Sequence, residues 1–205
     1  MNQIFIKNID GTLIPVSTIE GLTIHFFGDN NKVIVSEKTI FHNTQFKMRE
    51  FSNIEILETH KRGIRNLVVD MAGGKGSSLF IDEGFSIESG RFAMANEDNC
   101  SITIGKNCMF SSNITIRATD GHVIYNLGSP KICVNTTKPI IIGDNNWFGS
   151  GVTILKGTEI LNGCVVATQA VVAKKFKEDN VVIGGNPARV LKQNIGWNRS
   201  YINNW

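Results

Sequence analysis

Nowhere in these 205 residues do about eighteen uncharged apolar residues run together, and the opening MNQIFIKNID has no apolar stretch behind a basic start. That excludes a helical membrane span and leads us to expect a soluble, cytoplasmic protein without an export signal. Lys and Arg never gather into a run, and the formal net charge is only +3. A nucleic-acid surface is therefore not indicated, although the slight basicity suits an anionic cofactor or glycan. The four cysteines, Cys100, Cys108, Cys133 and Cys164, form no CxxC pair and no zinc spacing. After His60 the chain holds a single histidine, His122, which is too few for a three-histidine metal site. No metal is expected.

What the chain does have is a beat of six. From Ile142 to Lys177, one residue in six reads Ile142, Phe148, Ile154, Ile160, Val166 and Val172, an unbroken apolar column. Four places on, a second column reads Asn146, Val152, Thr158, Cys164, Ala170 and Phe176, mostly small or medium side chains. Amphipathic helices return their apolar face every three to four residues and two-faced strands every two, so neither fits. A solenoid of short flat strands joined by tight corners does. The beat is present earlier in Ile104, Phe110 and Ile116, with Ile102, Cys108 and Ile114 on the second column. Cys108 and Cys164 thus read as reduced core residues.

Upstream the period loosens, although apolar runs still alternate with Gly, Asp and Asn. The corner Gly-Asp-Asn-Asn at residues 28–31 is echoed at residues 143–146. Gly and Asn tolerate the left-handed backbone that sharp corners need. Between Arg117 and Lys138 the beat stops, which predicts a loop thrown out from the scaffold over residues 118–138. The expected division is a solenoid domain over residues 1–187 followed by a tail over 188–205. In that tail the stretch from about Ala188 to Ile195 has helix-forming residues, so a short C-terminal helix is expected along the rod. The first twenty residues and this helix would cover the exposed strand edges at the two ends. Trp197 and Trp205 are expected to pack the tail onto the rod or a neighbour.

The run IIIGDNNWFGSGVTILKGTEILNGCVVATQAVVAKKFKEDNVVIGGNPARVL resembles the hexapeptide-repeat acyltransferases. IRATDGHVIYNL, the insertion before KPIIIGDNNWFG, and PARVLKQNIGWNR are similar to the bacterial capsular polysaccharide and polysialic acid O-acetyltransferases. This likeness covers roughly residues 102–199, whereas the first hundred residues agree only in style. It implies an all-β fold, a left-handed parallel β-helix, and a homotrimer with active sites between subunits. It further implies transfer of acetyl from acetyl-CoA to a hydroxyl of a surface glycan.

Such a transfer needs a base for the hydroxyl proton, donors for the tetrahedral oxyanion and a groove for the acyl carrier. An imidazole can lift that proton, and His122 matches the family's catalytic histidine in position; a loop histidine is otherwise a surface residue. Asp120, two residues earlier, could fix its tautomer, a task a backbone carbonyl could equally perform. His25, His42 and His60 lack any partner pattern and read as structural. Trp147 is placed on a corner between repeats, projecting outward to wall the groove near pantetheine and acceptor. Corner residues such as Gly149 and Ser150 can offer backbone amides to the pantetheine and oxyanion, and the resemblance assigns the carrier to Ser150, Thr168, Ala173 and Lys174, with Arg189 near the phosphate end. Lys174, Lys175 and Arg189 form a cationic group suited to phosphate or simply a solvated basic end. Tyr125 could stack on a sugar or simply anchor the loop. The alternatives are an acetyltransferase for a monosaccharide or nucleotide sugar and, in a different class, a non-catalytic β-helix scaffold.

Overall fold

Three sheets wind around one core, each turn of the chain adding one strand to each. The computed structural model describes residues 1–200, leaving aside the side chains of residues 130 and 131. Face 1 has eight strands, ending in Ser101–Ile104, Ile140–Ile142 and Glu159–Ile160. Face 2 has eight, including Met109–Phe110, Trp147–Phe148, Val165–Val166 and Val182–Gly185. Face 3 has seven, including Ile114–Arg117, Thr153–Leu155 and Val171–Val172. Within the prism all pairings are parallel except at its two ends.

The six-residue beat has a backbone cause. Asn145, Gly151, Gly157, Gly163 and Gln169, each six residues apart, all adopt positive φ, between 55° and 77°. One left-handed residue per corner turns the chain onto the next face, and three such units close a coil. Ile142 accordingly pairs with Ile160, Phe148 with Val166 and Ile154 with Val172, each eighteen residues on. Both columns point inward, and all twelve of their residues are buried. Phe85, Phe110 and Phe148 stack on successive coils with ring centroids 5.1 and 4.2 Å apart, making a continuous apolar rod. Earlier coils are longer: Val35 pairs with Ile56, twenty-one residues on, and Ile56 with Ile81, twenty-five on. Uneven corner lengths are why the beat fades upstream.

The expected C-terminal helix is absent among the described residues, and Ala188–Lys192 is a strand instead. It folds back antiparallel on Val182–Gly185, with Ile183 opposite Val190 and Gly185 opposite Ala188. An open sheet edge offers unpaired backbone groups, and their pairing outweighs the modest helix propensity of this stretch. The N-terminal end is closed the same way, by Leu13–Pro15 antiparallel to Gln3–Lys7. Trp205 lies outside the described residues.

Candidate functional site

The insertion leaves face 3 after Arg117 and rejoins face 1 at Ile140, at the corner between these faces. Phe110 pairs with Phe148, thirty-eight residues on, so the excursion adds twenty to a regular coil. The protruding loop carries a small antiparallel hairpin of its own, formed by Tyr125–Asn126 and Ser129–Cys133. Val123, Tyr125, Leu127 and Ile132 stand in solvent, with Val123 69% and Leu127 87% exposed.

The base of the insertion is held by one asparagine that the sequence reading missed. Asn135 Nδ2 donates to Asp120 Oδ2 at 2.8 Å and to the His122 carbonyl at 2.9 Å, while its Oδ1 accepts from Ile124 N–H at 2.7 Å. Lys156, on the following coil, donates to the Asn135 carbonyl and pairs with Asp120 Oδ2 at 2.7 Å. Thr137 Oγ1 donates to the Ala118 carbonyl at 2.7 Å and Thr119 Oγ1 accepts from Gly121 N–H at 2.8 Å. The bond from Lys156, with burial opposing it and Asn135 adding to it, holds the Asp120 carboxyl below the usual carboxylate range. His122 is thereby fixed through its backbone while its imidazole stays exposed, with no hydrogen bond to the described residues. Asp120 reaches Lys156 and Asn135 and makes no bond to the ring, so it acts on His122 through the loop.

Trp147 is not on a corner. The corner comprises residues 143–146, and Trp147 opens the strand Trp147–Phe148, where alternation buries Phe148 and turns the indole outward between Met109 and Val165. It remains 36% exposed, and Trp197 from the tail lies beside it, centroids 6.1 Å apart.

The remaining candidates divide by corner. Gly149, Ser150 and Thr168 share the corner between faces 2 and 3. Gly149 N–H donates to the Val166 carbonyl at 2.8 Å, so this amide is spent on the ladder and is not free for a ligand. A Cβ on Gly149 would come within 2.7 Å of Thr168 N, which explains the glycine by close coil packing. Ser150 Oγ lies 2.9 Å from Ser112 Oγ on the coil below. Ala173 and Lys175 line a groove of 300 Å³ with Lys138, Lys156 and Glu159 at the corner between faces 3 and 1. Lys175 is paired there with Glu159 at 2.9 Å. Lys174 and Arg189 meet in a separate 420 Å³ groove at the end of the rod, floored by Gly185 and Pro187. Tyr125 projects from the hairpin, half exposed, opposite Cys133.

Within one chain, then, an exposed imidazole and a cationic end are present, but His122 and Trp147 sit on different parts of the prism. Residues 139–174 match the bacterial transferase hexapeptide (six repeats) family. The chain is 34% identical to a polysialic acid O-acetyltransferase of Escherichia coli O1:K1 over 131 residues, 64% of this chain and 41% of that protein. It is also 34% identical to the polysialic acid O-acetyltransferase of Neisseria meningitidis over 172 residues, 84% of this chain and 77% of the relative. The chain therefore spans well under half of the first relative and about three quarters of the second. The solved structure of the polysialic acid O-acetyltransferase OatWY superposes with a TM-score of 0.66 at 29% identity, covering 89% of this chain and 94% of that one. Repeats that build three parallel faces, together with likeness sustained over most of the chain, make this protein a member of the hexapeptide-repeat acyltransferases, which fold as left-handed parallel β-helices.

Proposed function

We propose that the protein transfers acetyl from acetyl-CoA to a hydroxyl of an acidic bacterial surface glycan of the sialic-acid type. The observation that carries this reading is the exposed His122 imidazole on a loop base pinned by Asn135, Asp120 and Lys156. A base must be held in place yet open to its substrate, and this one is both.

In the proposed reaction the imidazole takes the glycan hydroxyl proton while the oxygen attacks the thioester carbonyl. The tetrahedral oxyanion collapses, the C–S bond breaks, and the imidazolium returns its proton to the departing thiolate. No covalent enzyme intermediate forms. Trp147 walls the pantetheine and acceptor mouth, and Tyr125 offers a ring to the sugar. Ser150, Thr168 and Ala173 border the pantetheine path, with Gly149 contributing only by lacking a side chain. Lys174 and Arg189 meet the phosphates, where Arg can bind two oxygens at once; Lys175, committed to Glu159, contributes less. Since His122 and Trp147 occupy different faces, the working site needs a second copy, which supports a homotrimer with three intersubunit centres.

The test is thiol release from acetyl-CoA in the presence of purified polysialic acid, other capsular polysaccharides, free sugars and nucleotide sugars. Polymer-dependent release that falls about 10²–10⁴-fold in His122→Ala is expected. Release with free sugar alone would shift the acceptor to a small precursor. Undiminished turnover in His122→Ala would remove the imidazole from the mechanism.

A further inference from the structure

The corner between faces 1 and 2 carries a groove of 470 Å³ that the transfer chemistry leaves unused. The tail builds it by running back along the corner against the direction of the coils. Ile195 N–H donates to the Asn180 carbonyl at 2.9 Å and Trp197 Nε1 to the Asn145 carbonyl at 2.6 Å. Arg199, two residues further, reaches the carbonyls of Asn107, Cys108 and Gly84 and the hydroxyl of Ser86, at 2.7–3.1 Å. Each step of two residues descends to earlier coils.

Three features of the lining point to one kind of ligand. Asn107, Asn145 and Asn180 form a stacked row, and their side-chain amides make no hydrogen bond within the described residues. Positive φ accounts for asparagine at these corners; Asn107 and Asn180 rest their Oδ1 over Gly84 and Gly163 of the preceding coil, which leaves their Nδ2 donors for a ligand. Trp197 adds an indole wall, adjoining Trp147. The far end is positive: Arg199 has only neutral partners among the described residues, and His60 lies beside it. Among the described residues no acid lines the groove, since the corner carboxylates of Asp144 and Asp179 are turned to the backbone N–H groups of Lys106 and Asn162. A half-buried guanidinium without a counter-charge is costly to keep, and an anionic ligand would offset that cost.

We propose that this groove binds a stretch of carboxylate-bearing polysaccharide as an extended acceptor subsite outside the transfer centre, with Trp197 under a sugar ring, the row of amides on hydroxyl and acetamido groups, and Arg199 beside a carboxylate. It rests on the acidic-glycan reading above and adds to it a reason for preferring a polymer.

Binding is measured by calorimetry with sialic acid oligomers of increasing length, without acetyl-CoA, so that it is read independently of turnover. Wild-type affinity rises with length. Asn107→Gly with Asn145→Gly keeps the left-handed corners while deleting two amides, and lowers affinity for long oligomers about tenfold. Trp197→Ala does the same, while kcat on a short acceptor is unchanged in the double glycine variant and KM for the long one rises. Unaltered long-oligomer affinity in both variants would overturn the subsite, as would equal binding of dextran sulfate, which carries charge without carboxylates. Length-dependent binding lost in the variants, but with no acetylation of any glycan, would leave the subsite standing and remove the transferase reading instead.

Discussion

Asn146 is a polar side chain on an inward-facing column, fully buried, and its amide accounts for itself completely. Nδ2 donates to the carbonyls of Gly143 at 2.9 Å and Leu161 at 2.7 Å, while Oδ1 accepts from Cys164 N–H at 2.7 Å. Asn31 repeats this at the other end of the rod: Nδ2 donates to Gly28 O and Oδ1 accepts from Ser52 N–H. A buried backbone group left unpaired costs about 1–3 kcal/mol, so Asn146→Ala, which orphans the Leu161 carbonyl and the Cys164 N–H while the Gly143 carbonyl keeps its bond from Cys108 Sγ, is expected to lose about 2 kcal/mol or more in chemical denaturation. Asn113→Ala, at an exposed corner where the side chain makes no hydrogen bond among the described residues, is expected to lose about 1 kcal/mol, from left-handed strain alone. Equal losses in the two would show that the inward amide matters no more than the turn. The echo of Gly-Asp-Asn-Asn was legible as a pair of corners, and the beat put Asn146 on the inward column, but that its amide ties one coil to the next was not legible. That depends on which neighbouring coil lies alongside, and local spacing does not carry it. Cys108 needed less: a small apolar residue on an inward column is buried, and burial pushes its thiol up to about 12.

At the scale of the element, the insertion behaves as a separable arm held at its root. Lys156 is only 14% exposed and reaches both Asp120 and the Asn135 carbonyl, so it ties the arm to the next coil. In Lys156→Met, chymotryptic cleavage beside Tyr125 or Leu127 at neutral pH is expected to quicken several-fold, while the rod stays intact. An unchanged rate would mean that the hairpin holds itself. Asp120 has a lowered carboxyl pKa when folded, so its contribution is full above the ordinary value of about 4 and is lost as pH falls through the folded one. The Asn135 side-chain amide signal in NMR, which reports on the bond to Asp120, should therefore titrate with a midpoint below about 4. A midpoint at or above that would contradict the anchoring. The arm itself was legible from the lapse of the beat and its lone histidine, whereas Asn135 was not, because nothing in its neighbourhood distinguishes it from a turn asparagine. The tail misled for a related reason: Ala188–Lys192 has the composition of a helix, but its conformation is decided by the open edge of Val182–Gly185, a feature of the whole rod.

On the scale of the whole molecule, the three-fold division of the chain decides how many copies a site requires. His122 leaves the corner between faces 3 and 1, Trp147 stands on face 2, and Gly149, Ser150 and Thr168 lie at the corner between faces 2 and 3. The packed rod between them cannot bend to close that gap. If each centre takes its imidazole from one subunit and its indole from the next, two damaged chains can repair one another. His122→Ala and Trp147→Ala homotrimers each lack one half in every centre. In any trimer that mixes them, going round the ring there is one junction at which an intact imidazole meets an intact indole. Random assembly of equal amounts therefore restores about a quarter of the wild-type centres, and with them about a quarter of its thiol release. Mixing after separate assembly should restore nothing until the trimers are dissociated and refolded together. With both single-variant trimers inactive, failure to recover activity in co-assembled mixed trimers would place both side chains in a centre built by a single chain and overturn the intersubunit site, whereas full activity of Trp147→Ala on its own would remove Trp147 from the chemistry.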